Sequence, residues 1–215
     1  PTACAYRQPV QADKWGTLTY VNYNFNIPNI TKISNEIEIK NTPAPGFSNT
    51  NYIQLYDGMI GGRYQYYGLQ THGMAIWSQW GTTLEDVRTV GNSYTTVVSY
   101  EDNAVSLRRD LPPLQAGHYS TRIELAEFDG VGDWYNYYVK LPNESEQLIG
   151  GMRFRRQFAD QTVKISDGGG QWNEFAFNNY PTISPVALLD VDIKATANNG
   201  VKPVRALGKF STMPN

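Results

Sequence analysis

The stretch LIGGMRFRRQFADQTVKISDGGGQWNEFAFN, from Leu148 to Asn178, decides the fold. It sets a β-type run, a triple glycine (Gly168, Gly169, Gly170) and a second β-type run back to back. Upstream, Tyr66-Tyr67-Gly68-Leu69-Gln70 feeds into Ala75-Ile76-Trp77-Ser78-Gln79-Trp80 with the same grammar. Both read as antiparallel strands joined by glycine turns, with aromatic rings on at least one face. At Gly168–Gly170 the expected turn needs at least one residue at positive φ, which only glycine adopts without a Cβ clash.

The same pattern extends outward in both directions. Val21, Tyr23, Phe25 and Ile27 alternate with three asparagines, and Ile37 and Ile39 alternate with Glu36, Glu38 and Lys40. Tyr119, Thr121, Ile123 and Leu125 alternate with Ser120, Arg122 and Glu124, a period of two that marks a half-buried strand. Further strands are expected at 52–56, 94–100, 134–141, 186–195 and 204–210, rich in β-branched and aromatic residues. Gly61-Gly62, Asp129-Gly130, Gly150-Gly151 and Asn199-Gly200 supply turn chemistry between runs. Only Thr82 to Arg88 reads as helical, with a threonine cap and Glu85 and Asp86 in its first turn. Short strands without βα alternation predict an all-β, antiparallel, jelly-roll-like β-sandwich, one domain over 1–215 with an N-terminal arm at 1–14.

Composition narrows the function classes. Charged residues make up 18% of the 215, below the roughly 25% of ordinary soluble domains. Neutral hydrogen-bonding residues replace them, a profile that suits an extracellular β protein. A net charge of −2, with Arg153, Arg155 and Arg156 as the densest basic cluster, gives no footprint for nucleic acid. No run of eighteen apolar residues exists, so no transmembrane helix is expected. The first residue is Pro1, which fits a mature chain whose leader has been removed. Sequons at Asn29 and Asn143 add to the expectation of a secreted glycoprotein. The lone cysteine, Cys4, excludes an internal disulfide and leaves a free thiol or an intermolecular bridge in a homo-oligomer.

Taken together, Tyr67-Gly68-Leu69-Gln70, Ile76-Trp77-Ser78-Gln79-Trp80, Trp134 to Tyr138, Ile149 to Phe154 and Gly168 to Glu174 carry a family pattern. The chain resembles, over roughly 15–178, a family of secreted, uncharacterised β-sandwich domains found mostly in bacteria. That resemblance implies a secreted sandwich, of a kind often accompanied by carbohydrate-active or carbohydrate-binding modules. It implies no particular activity.

Catalytic signatures are missing from the sequence. There is no G-x-S-x-G elbow, and two histidines cannot build a His-rich zinc site. Asp190 and Asp192 point to one face of an expected strand, a paired-carboxylate pattern that fits calcium, with Asp167 or Glu174 as further oxygen donors. A glycosidase needs two carboxylates facing each other across a cleft, a geometry that spacing alone does not show.

The aromatics speak more directly. Fifteen Tyr, five Trp and eight Phe exceed what core filling needs, and Trp134-Tyr135-Asn136-Tyr137-Tyr138 carries rings on both faces. Exposed rings stack on sugar faces, while amides supply directional hydrogen bonds. The leading expectation is therefore a secreted, non-catalytic, lectin-like carbohydrate-binding protein. Tyr66, Trp77, Trp80, Trp134, Tyr137 and Trp172 are the stacking candidates, with Gln70, Gln79 and Glu174 as hydroxyl partners and His72 in the intervening turn. With so little net charge, recognition should depend on rings more than on ions, and vary weakly with salt. A carrier of a planar apolar molecule, a pigment or lipid held between sheets or at a subunit interface, is the alternative. An extracellular glycan hydrolase comes third.

Overall fold

The computed structural model describes residues 15–42, 51–98, 102–158, 160–175 and 189–214. Among them, fourteen strands form two antiparallel sheets packed face to face. The larger sheet has eight strands in the spatial order β14 (Arg205–Pro214), β1 (Trp15–Asn24), β12 (Gly168–Phe175), β3 (Asn51–Ile60), β4 (Arg63–Gln70), β5 (Met74–Gln79), β8 (Ala104–Asp110) and β7 (Tyr94–Val98). The smaller runs β13 (Val191–Ala197), β2 (Lys32–Ile39), β9 (Gly117–Phe128), β10 (Gly132–Lys140), β11 (Gln147–Arg155) and β6 (Val87–Thr89). The chain crosses between sheets at β1–β2–β3, β5–β6–β7, β8–β9 and β11–β12–β13–β14. The expected all-β sandwich is what the molecule adopts. No described helix is long and apolar enough to cross a membrane.

Alternation explains the packing. In β2, Ile33, Ile37 and Ile39 turn inward while Glu36 and Glu38 face out. The space between the sheets is filled by Trp77, Tyr56, Tyr67, Tyr135, Tyr137, Phe25 and Phe154, all buried. Rings this large bring polar atoms inside, and each phenol needs a partner there. Tyr67 accepts from the Asn35 amide at 2.7 Å, Tyr135 donates to the Val163 carbonyl at 2.8 Å, and Tyr137 donates to the Gly68 carbonyl at 3.1 Å. The Trp77 indole N–H donates to Gln65 Oε1 at 2.7 Å.

Three local expectations need correction. Gly168–Gly170 is not a turn but the start of β12, opposite Asn24, Tyr23 and Asn22, and none of the three has positive φ. Close approach is what requires glycine there: a Cβ on Gly169 would lie 2.5 Å from the Tyr56 ring, and one on Gly170 would strike the Tyr20 hydroxyl. Gly150 and Gly151 likewise lie within β11. The helix expected at 82–88 shrinks to one 3-10 turn, Leu84–Asp86, because Val87 to Thr89 is captured as β6 on the edge of β11. Strand β8 had no sequence signal, since Arg108-Arg109 interrupts its alternation although Val105, Leu107 and Arg109 are buried. Of the strand expected at 186–195, residues 186–188 lie outside the described residues, and β13 begins at Val191.

Candidate functional site

Strand alternation that turns Tyr67, Leu69, Trp77 and Leu107 into the core turns their neighbours outward. On the outer face of the eight-stranded sheet, register aligns Tyr20 (β1), Trp172 (β12), Gln54 (β3), Gly68 (β4), Ile76 (β5), Arg108 (β8) and Tyr94 (β7) in one row across the strands. A second row runs beside it through Asp57, Tyr66, Ser78, Ser106 and Thr96. The rings interlock. Tyr20 stacks on Trp172 with centroids 5.4 Å apart, Tyr66 meets Trp80 at 5.3 Å and Tyr52 at 5.8 Å, and Tyr64 meets Trp80 at 5.0 Å. Tyr20, Tyr66, Trp80 and Trp172 are each half-buried, so one part of every ring faces outward.

Polar groups lie beneath and between these rings. Asp57 Oδ2 accepts from the Tyr20 hydroxyl at 3.2 Å, and the Tyr64 hydroxyl donates to the same carboxyl. Burial raises the Asp57 pKa, an effect the two phenol hydrogen bonds oppose. Burial beside Asp57 also pushes Tyr20 up to about 12. Ser78 and Ser106 pair at 2.6 Å, and the Tyr94 hydroxyl donates to Asp110 at 3.2 Å. Several buried polar atoms on this face have no hydrogen-bond partner among the described residues: both amide atoms of Gln54, Asp57 Oδ1, Thr96 Oγ1, Arg108 Nε and the Trp172 indole nitrogen. A polar atom buried without a partner costs roughly 1–3 kcal/mol. Further unpartnered atoms, on Tyr23, Gln65 and Gln79, lie between the sheets, so the outer face is set apart by the half-buried rings that accompany them.

The stacking candidates therefore divide. Tyr66, Trp80 and Trp172 share this face, with Gln70 half-buried on it in β4. Glu174 holds its place in β12 opposite Tyr52 and Leu18, and its side chain lies outside the described residues. His72 sits half-buried in the β4–β5 turn, where burial lowers its pKa and the Asp110 carboxylate opposes that shift. Trp77, Tyr137 and Gln79 cannot contact a surface ligand: all three point between the sheets and are fully buried.

Trp134 belongs elsewhere. It lies on the outer face of the six-stranded sheet, 9% exposed, its indole donating to Asp129 at 2.8 Å. Arg88 and Arg153 pack over its ring at 4.7 and 5.4 Å, and Arg122 covers Tyr138 at 3.7 Å. The rings expected on both faces of this strand are thus present, but the outward pair is roofed by guanidinium groups. Those arginines are held in turn. Arg153 bridges Asp86 and Asp129 at 2.7 and 2.8 Å, Arg155 joins Asp86 at 3.0 Å, and Arg122 forks onto Glu146. Burial pushes the Asp86 pKa up, yet Arg155 and Arg153 together hold it below the usual carboxylate range.

The remaining expectations find their places. Asp190 and Asp192 share the Lys40 ammonium at 3.6 and 2.8 Å, so a cation of the chain's own neutralises the pair proposed for calcium. No cluster of three or more His, Cys, Asp or Glu able to hold a metal occurs among the described residues. Asn29 and Asn143 are exposed in turns at φ 58° and 61°. Cys4 lies outside the described residues. The apolar carrier expected between the sheets meets a layer already occupied by the protein's own rings. Tyr20, Tyr52, Gln54, Asp57, Tyr64 and Arg108 were not anticipated. A bulge between Gln54 and Tyr56 lets Gln54 and Asp57 share a face despite their odd spacing, so simple alternation could not group them.

No protein-family model matches the chain, and no curated protein matches it. Among solved structures it is similar to a marine PL-14 alginate lyase from Aplysia kurodai, at 10% identity and a TM-score of 0.39 over 94% of this chain and 70% of that one. A likeness this distant assigns neither substrate nor activity.

Proposed function

We propose that the protein is an extracellular, non-catalytic carbohydrate-binding protein, and that the outer face of its eight-stranded sheet is the binding surface. The observation that carries this reading is the set of half-buried rings, Tyr20, Tyr66, Trp80 and Trp172, gathered on one sheet face with hydrogen-bonding groups between them. Sugars match that combination: their C–H faces stack on aromatic rings, and their hydroxyls both donate and accept. Half-buried Gln70 and Arg108 bring hydrogen-bonding groups to the same surface as the rings.

The exposed sequons at Asn29 and Asn143 support an extracellular setting.

Calorimetric titration with a glycan panel tests the proposal. The wild-type protein should bind at least one glycan, and the double variant Trp80→Ala/Trp172→Ala should lose that binding while keeping its circular dichroism spectrum. Unchanged binding in a folded double variant would refute it.

A further inference from the structure

Most of the described arginines find a partner within the protein, and Arg108 is the informative exception. Arg88, Arg122, Arg153, Arg155 and Arg156 each pair with a carboxylate. Arg63 and Arg109 spend their guanidinium groups on carbonyl oxygens. Arg108 has neither an ion pair nor a hydrogen bond among the described residues, although it is half-buried and its Nε is fully buried. Arg205 is also without one, but it is exposed near the sheet's far edge, where solvent satisfies it.

Arg108 stands in the cross-strand row of the candidate site, between Ile76 and Tyr94. The carboxylate nearest in sequence on the same face, Asp110, accepts instead from the Tyr94 hydroxyl. The Arg108 Nε is buried while the rest of the guanidinium is only half-buried, and that planar fork matches a carboxylate or sulfate with two parallel hydrogen bonds. From Trp172 to Arg108 the row crosses four strand spacings, about 19 Å, which an oligosaccharide spans and a single sugar does not.

We propose that the bound glycan is acidic, and that one of its oxyanions, a uronate carboxylate or a sulfate ester, docks on Arg108 while its sugar rings stack at Trp172 and Tyr20. This rests on the carbohydrate-binding reading and adds the ligand's charge to it. One such contact gives only a shallow fall of affinity with salt, consistent with a face otherwise built from neutral groups.

The test compares glycans on the wild-type protein and then changes Arg108. Calorimetry would use an oligogalacturonate, its fully methyl-esterified form, a sulfated galactan oligosaccharide and its desulfated form, at equal length. We expect one acidic member to bind about tenfold or more tightly than its neutral counterpart, the range of a charge-assisted hydrogen-bonded contact. Which acidic member does so distinguishes uronate from sulfate. Arg108→Gln should remove that preference, and Arg108→Lys should restore part of it, having the charge without the fork. The wild-type comparison stands even if Arg108→Gln does not fold. Equal binding of acidic and neutral forms, both lost in Trp80→Ala/Trp172→Ala, would overturn the acidic assignment and leave carbohydrate binding standing. A panel on which no glycan binds overturns both.

Discussion

The outward faces of the two sheets carry similar rings and opposite accounts of their polar atoms. On the six-stranded sheet, Trp134 and Tyr138 lie under Arg88, Arg153 and Arg122, and each of these guanidinium groups reaches a carboxylate. On the eight-stranded sheet, Trp172 stacks on Tyr20 and Trp80 leans on Tyr66, and Gln54, Thr96 and Arg108 keep buried atoms without partners among the described residues. The first face is complete as it stands. The second leaves its rings half-exposed and some of its polar atoms unpaired, which is why the proposed binding surface is placed there.

The contrast can be broken most forcefully at Asp86, which is buried against Arg153 and Arg155. Asp86→Ala leaves both arginines without it and should cost about 3–5 kcal/mol, measured by denaturant unfolding, with glycan binding unaffected. Acid should act in the same direction. The Asp86 pKa is lowered in the folded state, so its contribution is present above the unfolded aspartate value and is lost as pH falls through the folded one. A variant as stable as the wild type at pH 7 would show that the arginine roof is decoration.

A smaller effect of opposite sign is expected at Asp57 on the other face. Its folded pKa is raised by burial, so ionisation opposes folding, and stability falls as pH rises from the unfolded aspartate value through the folded one. Asp57→Asn should therefore melt higher than the wild type near pH 7, with the gap closing as pH drops below the ordinary aspartate range. A site held for ligand rather than for stability gives that result, and a lower melting temperature at pH 7 would place Asp57 among the structural groups.

Much of this architecture was legible from residue pattern. Period-two runs identified β1, β2 and β9, because one buried face writes itself directly into the sequence. Which face is inward was not legible where both are apolar or aromatic: Ile76 and Trp77 are equally apolar, yet Trp77 fills the core and Ile76 lies on the outer face. The bulge at Gln54/Tyr56 then resets the phase and joins Gln54 to Asp57, whereas Trp134 is separated from the site because β10 belongs to the other sheet. Charge partners were beyond reach as well, since Arg153 meets Asp86 across 67 positions of chain. The triple glycine misled for a related reason: it answers to the Tyr56 and Tyr20 side chains of neighbouring strands, not to a turn.

The most direct test measures glycan affinity and melting temperature side by side for two variants, Trp80→Ala/Trp172→Ala and Trp134→Ala. Trp134→Ala removes a nearly buried ring with its Asp129 hydrogen bond and two cation–π contacts, and should lose about 3 kcal/mol of stability while binding glycan like the wild type. The double variant should melt within a few degrees of the wild type and lose the glycan. Binding lost with Trp134 and retained without Trp80 and Trp172 would contradict the account and move the site to the other sheet.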